Sequence, residues 1–230
     1  MPTADSIVSG LTAIANEWRA LAIGWHVWLG ALLLATALGW RPVKRHVGYL
    51  LVAPLISVSA LAWTSGNPFN ATVFVVIAGV MILAARHFSR DPVQLSPLPF
   101  LACGAALVAF GWSYPHFLKV DGWIEYGYAA PLGLVPCPTL ATVIGLTLVL
   151  GLFRPTAWAA TLIAAAVLYG VIGVFRLGVL LDYGLLAGGA ALAAAVAFRA
   201  RNRVAAPEAI SLSSSTTSLP RRRADRQPAP

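Results

Sequence analysis

Apolar residues in this 230-residue chain are gathered into long blocks separated by short polar loops. The blocks run to about 17–25 residues, the length that ~30 Å of hydrocarbon requires of a helix. That pattern excludes most folds, because a helix is the form in which an apolar block satisfies its own backbone hydrogen bonds in lipid. Composition agrees: 59% of the residues are hydrophobic and 10% charged, where a water-facing domain carries about 25% charged residues. The chain reads as an all-α integral membrane protein, a bundle of about seven transmembrane helices.

Residues 6–18 place Ile7, Val8, Leu11, Ile14, Ala15 and Trp18 on one helical face, with Asp5 or Ser6 as the cap. They predict an amphipathic helix, within residues 1–18, lying at the membrane surface. Residues 1–17 contain no Lys or Arg, so the positive region of a secretory signal is missing. The first four spans are expected near Ala20–Trp40, His46–Trp63, Asn70–Ala85 and Pro97–Tyr114. The fifth covers Tyr128–Phe153, the sixth Thr156–Val174, and the seventh follows Arg176 to about Phe198, closing a transmembrane domain over 19–198. Residues 199–230 are polar, Ser- and Arg-rich, and read as a disordered basic tail.

Basic residues orient the bundle. With the C-terminus inside, Arg41, Lys44, Arg45, Arg86, Arg90 and Arg154 are cytoplasmic with the tail arginines, against Arg19, Lys119 and Arg176 outside. The expectation is N-terminus outside, C-terminus cytoplasmic, in the inner membrane of a bacterium. The net charge of +8 then belongs beside an anionic lipid leaflet and does not call for nucleic acid.

The fifth span is irregular. Pro131, Pro136 and Pro138 each lack a backbone donor and clash with the carbonyl four residues back, and the residue before each is pushed out of helical dihedrals. Leu132 and Leu134 are therefore expected to keep free carbonyls, with Thr139, Thr142 and Thr147 able to bond back to the chain. Broken backbone at this depth must face protein or a wet cavity.

Given that topology, His26, Tyr114, His116, Cys137 and Asp182 all fall in the outer half of the bundle, beneath Asp121 and Glu125. They outline a polar, outward-facing pocket floored by the broken helix, with Leu132, Leu134 and Thr139 as ligand-facing groups. Blander readings stand beside it. His26 can be a structural interhelical residue, Asp182 can pair with Arg176 or with His26, and Tyr114-Pro115-His116 can be an interfacial aromatic and helix stop. Pro136-Cys137-Pro138 can be a plain kink. Cys103 and Cys137 lie at different depths, so no disulfide is expected.

Tyr114-Pro115 at a span end, followed by Pro136-Cys137-Pro138-Thr139 and a long apolar run, resembles a bacterial multi-pass family known only as a domain of unknown function, the one numbered six thousand and sixty-four. The resemblance implies a similar fold and places weight on Tyr114, Pro115, Cys137 and Thr139. It implies no activity. Seven spans are also those of microbial rhodopsins, but retinal needs a lysine in the last span, and Lys44 and Lys119 are both in loops.

Three functions follow as expectations. The first is binding or transport of a small solute or ion at the outer pocket, with His26 and Asp182 coupling protons or cations. The second is a membrane-embedded redox or metal-dependent enzyme using Cys137 with His26 or His116, or a haem held between two histidines. The third is a non-catalytic assembly partner, packing Gly170, Gly173, Gly178, Gly184, Gly188 and Gly189 against another subunit. The balance favours a protein that is not an enzyme, and no cofactor is predicted.

Overall fold

A computed structural model describes residues 3–215 in backbone and 3–202 in side-chain detail. Among the described residues the chain is all-helical, with nine α-helices and no strand. It divides into two compact units, Met1–Ala195 and Val196–Pro230. The first holds the bundle and the site. In the second, the backbone is helical through Ser215, past the expected start of a disordered tail at Arg199. The Arg221–Arg223 cluster lies outside the described residues.

Five helices are long and apolar enough to cross a membrane. They are α2 (Arg19–Ala37), α3 (Lys44–Thr64), α4 (Pro68–Ala85), the stretch Thr156–Arg176 built on α8 (Thr156–Val171), and Leu180–Asn202, which enters α9 (Tyr183–Ser215). Two expected spans are shorter: α5 (Leu98–Trp112) has 15 residues and α7 (Pro136–Val149) has 14, about 22 and 21 Å at 1.5 Å per residue. Ahead of α7 lie only one helical turn, α6 (Tyr126–Ala129), and the non-helical segment 130–135.

Punctuation follows local chemistry. Asn67 caps α4 by accepting from the Asn70 amide, with Pro68 opening the helix. The cap of α1 (Ala4–Glu17) is Thr3, whose hydroxyl accepts from the Ser6 amide, rather than Asp5 or Ser6. The difference is two or three residues of register at a helix start.

The centre of the bundle is α7, in which Pro138 through Leu148 are all buried. A helix apolar on every side belongs inside. Its principal neighbour is α5, and glycines let the two backbones touch. A Cβ on Gly104 would lie 2.6 Å from the Gly145 carbonyl, and one on Gly111 would lie 2.6 Å from the Pro138 carbonyl. Gly104 and Gly111 are two turns apart and form one stripe. Small residues give such close approach, where van der Waals contact drives helix association in lipid.

Two apolar or small-residue faces find partners within the chain. Helix α1 buries Leu11, Ile14 and Ala15 in one cluster with Tyr114, Phe117, Leu134 and Val135, so its apolar face packs on the bundle. The glycines assigned to a partner subunit mostly pack within the chain: Gly170 against Leu186, Gly173 against Asp182, Gly184 against Phe110, Gly188 against Leu107 and Gly189 against Ala166.

Candidate functional site

The site begins where α8 loses its regular winding. Residues Ile172–Arg176 form a π-helical turn, Gly178 turns the chain at φ +70°, and a 3-10 turn, Leu180–Asp182, opens α9. The Val179 amide bonds back to the Gly173 carbonyl at 2.9 Å. This fold-back lays the Asp182 carboxyl on Gly173, where any Cβ would collide with it. Such π-turns are frequent at functional sites.

The carboxyl is 1% exposed and has two side-chain donors from two other segments. The Tyr114 hydroxyl, just past α5, donates to Oδ1 at 2.8 Å, and Cys137 Sγ, in the first turn of α7, donates to Oδ2 at 3.1 Å. Peptide dipoles favour negative charge at that end of a helix. Tyr114 is fully buried and Cys137 partly so. Three expected site residues thus meet in one closed cluster, not in an open pocket.

Thr139, Leu132 and Leu134 organise the segment behind Cys137. Gly133 sits at φ +72°, a conformation that suits glycine. Thr139 Oγ1 donates to the Val135 carbonyl at 2.7 Å and accepts from the Gly133 amide at 2.9 Å, which ties the turn to α7. Because Pro136 and Pro138 cannot donate, no protein hydrogen bond among the described residues reaches the Leu132 or Leu134 carbonyl oxygen. Leu132 and Thr139 line an apolar cavity of ≈ 10 Å³ beside Trp25 and Pro54, room for about one water.

A lid covers the cluster. Phe117, in the loop after Tyr114, stacks on the Tyr114 ring at 6.1 Å and 14°. Its φ of +72° is the one left-handed value outside glycine among the described residues, a costly conformation for a bulky side chain. Asn16 of α1 holds it: Nδ2 donates to the Phe117 carbonyl at 2.9 Å, and Oδ1 accepts from the Lys119 amide at 2.9 Å. His116 packs edge-on to Phe117 at 4.3 Å, and partial burial lowers its imidazole below the usual range.

His26 does not join the site. Its Nδ1 faces the Ala22 carbonyl and its Nε2 the Trp112 carbonyl, each at 2.8 Å, so it bridges α2 to the end of α5. The expected His26–Asp182 pairing is therefore corrected; the Asp182 carboxyl is met by Tyr114 and Cys137. The metal reading with His26, His116 and Cys137 finds no shared centre: no group of three or more His, Cys, Asp or Glu that could hold a metal occurs among the described residues.

Asn16 and Phe117 were missed by sequence reasoning, as was a second buried pair, Tyr169 hydroxyl to Asn70 Oδ1 at 3.1 Å; Gly173 was assigned to a partner subunit and packs against Asp182 instead. Asn16 carried a usable signal, a poor helix former at the end of an amphipathic face. The others carried none. No protein-family profile, curated protein or solved structure matches the chain, and the family resemblance rests on its two short motifs alone.

Proposed function

We propose that this chain is a multi-pass protein of a bacterial inner membrane that binds a proton or a small monovalent cation at Asp182, in transport or sensing. The observation that carries the reading is a carboxyl group buried in an apolar bundle whose two donors, a phenol and a thiol, are both neutral. Ionised and unpaired, such a group costs several kcal/mol, on the order of the effective penalty for burying one ion. A proton or a cation removes that charge. Ionisable residues inside a membrane mark ion and proton pathways by default.

In this reading the chain crosses seven times, N-terminus outside and C-terminus inside, with α5 and α7 as two short crossings. The fifth is the proline-broken one. Irregular backbone at depth is tolerated where protein buries it, and residues 129–136 are buried. The open carbonyls of Leu132 and Leu134 are further oxygen donors for a cation on the same segment. Membership of the family that the Tyr114-Pro115 and Pro136-Cys137-Pro138-Thr139 motifs resemble is part of the proposal, and adds no activity to it.

The test is thermal unfolding of the purified full-length protein in detergent, titrated with lithium, sodium and potassium chloride against choline chloride, and with pH. A ligand at 100 times its Kd stabilises by about 2.7 kcal/mol, so wild type should gain several degrees with one cation or with protons. Asp182→Asn should not respond. If the variant shifts with wild type in every titration, Asp182 is not the site.

A further inference from the structure

At the opposite end of the bundle from Asp182, a groove of ≈ 650 Å³ is lined by Trp40, Arg41, His46, Tyr49, Leu50 and Ala53 among its walls. That volume lies within the range of small-ligand sites, about 300–1,000 Å³. We propose that it binds one anionic phospholipid, with the phosphate at Arg41 and His46 and an acyl chain along Tyr49, Leu50 and Ala53. The inference rests on the bundle lying in a bilayer and is independent of what Asp182 binds.

The polarity of the groove has a direction. His46, Tyr49, Leu50 and Ala53 follow i, i+3, i+4, i+7 on one face of α3, and the face passes from polar to aromatic to aliphatic over seven residues, about 10 Å. A phospholipid has the same gradient. The rim residues Trp40 and Tyr49 are exposed, as amphipathic rings at head-group level are.

Charge specifies the head group. The first turn of α3 carries Lys44, Arg45 and His46, contains no acidic residue and has no side-chain cap. Cations at the positive end of a helix repel its dipole, and an anion in front of them relieves this. Arg45 is turned away, donating to the Arg86 carbonyl. Arg41 is held in place by bonds from Nη1 to the Thr36 and Trp40 carbonyls, which leaves its remaining guanidinium donors for phosphate. A free phosphate would have no use for the aliphatic floor, and a zwitterionic lipid would leave the excess cation unmatched.

The experiment counts lipids retained by the full-length protein in native mass spectrometry, with phosphatidylglycerol and phosphatidylcholine of equal chain length offered together. One phosphatidylglycerol should be kept in preference. Arg41→Gln should weaken its retention about tenfold, the loss of one charge-assisted contact. Ala53→Phe, which fills the floor and leaves every charge in place, should weaken it as well, while Arg154→Gln should not. Equal retention of both lipids overturns the proposal, as does wild-type retention in both Arg41→Gln and Ala53→Phe. Displacement of the lipid by glycerol phosphate at equal concentration also overturns it, since the site would then be for a soluble anion.

Discussion

Polar residues are handled in opposite ways at the two ends of this bundle. Around Asp182 they face inward, each donor matched to an acceptor, and α1 with the Tyr114–Lys119 loop closes over them. Around Arg41 they face outward, cationic, at a helix start that contains no acid. The difference shows where polarity finds its partners. Inside an apolar bundle a polar group must be satisfied by protein or cost stability. At the interface, water and head groups do it. The first end is therefore coupled to the fold, and the second is coupled to the surroundings.

That contrast breaks most severely at the α5–α7 seam, which brings Tyr114 and Cys137 together. Gly111→Ala puts a methyl group 2.6 Å from the Pro138 carbonyl and into the Thr142 hydroxyl. Backbone cannot rotate aside, so the loss should reach about 3 kcal/mol, the upper end for overpacking, read as a fall in Tm. Gly79→Ala, with nothing within 4 Å of its Cβ position, is the matched control and should be silent. An unchanged Tm for Gly111→Ala would mean that the two helices are not in backbone contact. At the other end Arg41→Gln should alter lipid retention and, since its bonds to the Thr36 and Trp40 carbonyls are exposed, lower Tm far less than Gly111→Ala does.

Asn16→Ala is the intermediate case. It removes the bonds to Phe117 and Lys119, about 1–2 kcal/mol for two partly exposed hydrogen bonds, and frees Phe117 from its left-handed conformation. In a Cys103→Ala background, Cys137 should then react with a membrane-impermeant maleimide several-fold faster than in the parent. If the rates are equal, α1 is not a lid. If Cys137 already reacts quickly in the parent, the site is open and not closed.

The smallest effect concerns His116. Burial lowers its imidazole, so as pH falls through about 6.5, the ordinary imidazole value, the unfolded chain binds a proton that the folded loop resists. Stability from this group is present above that pH and is lost on acidification. The Tm of His116→Gln should fall less than that of wild type from neutral to mildly acidic pH. Parallel curves would remove His116 from the account.

Much of the helical layout is local and was legible. Block length placed α2, α3, α4 and α8 to within a few residues, because apolar runs and the Gly66-Asn67-Pro68 turn are written in consecutive residues. Tyr114, Cys137 and Asp182 were each singled out for their chemistry and depth, and the unbonded Leu132 and Leu134 carbonyls follow directly from two prolines. His26 was singled out by the same reasoning and faces elsewhere. Its depth was readable, but the rotation that turns its ring toward the Trp112 carbonyl at the end of α5 was not.

The sequence alone thus determined the apolar helices, the backbone donors that proline withholds, and the charge left at the loops, since each depends on neighbours along the chain. Only the tertiary structure decided which polar groups meet. That choice is made by the glycine seam between α5 and α7, by the fold-back at Gly173 that seats Asp182, and by the reach of Asn16 to Phe117. The seam and the Asn16 bond join residues far apart in the chain, and the fold-back carries Asp182 to the distant Tyr114 and Cys137; helix packing sets the rotation that brings them face to face.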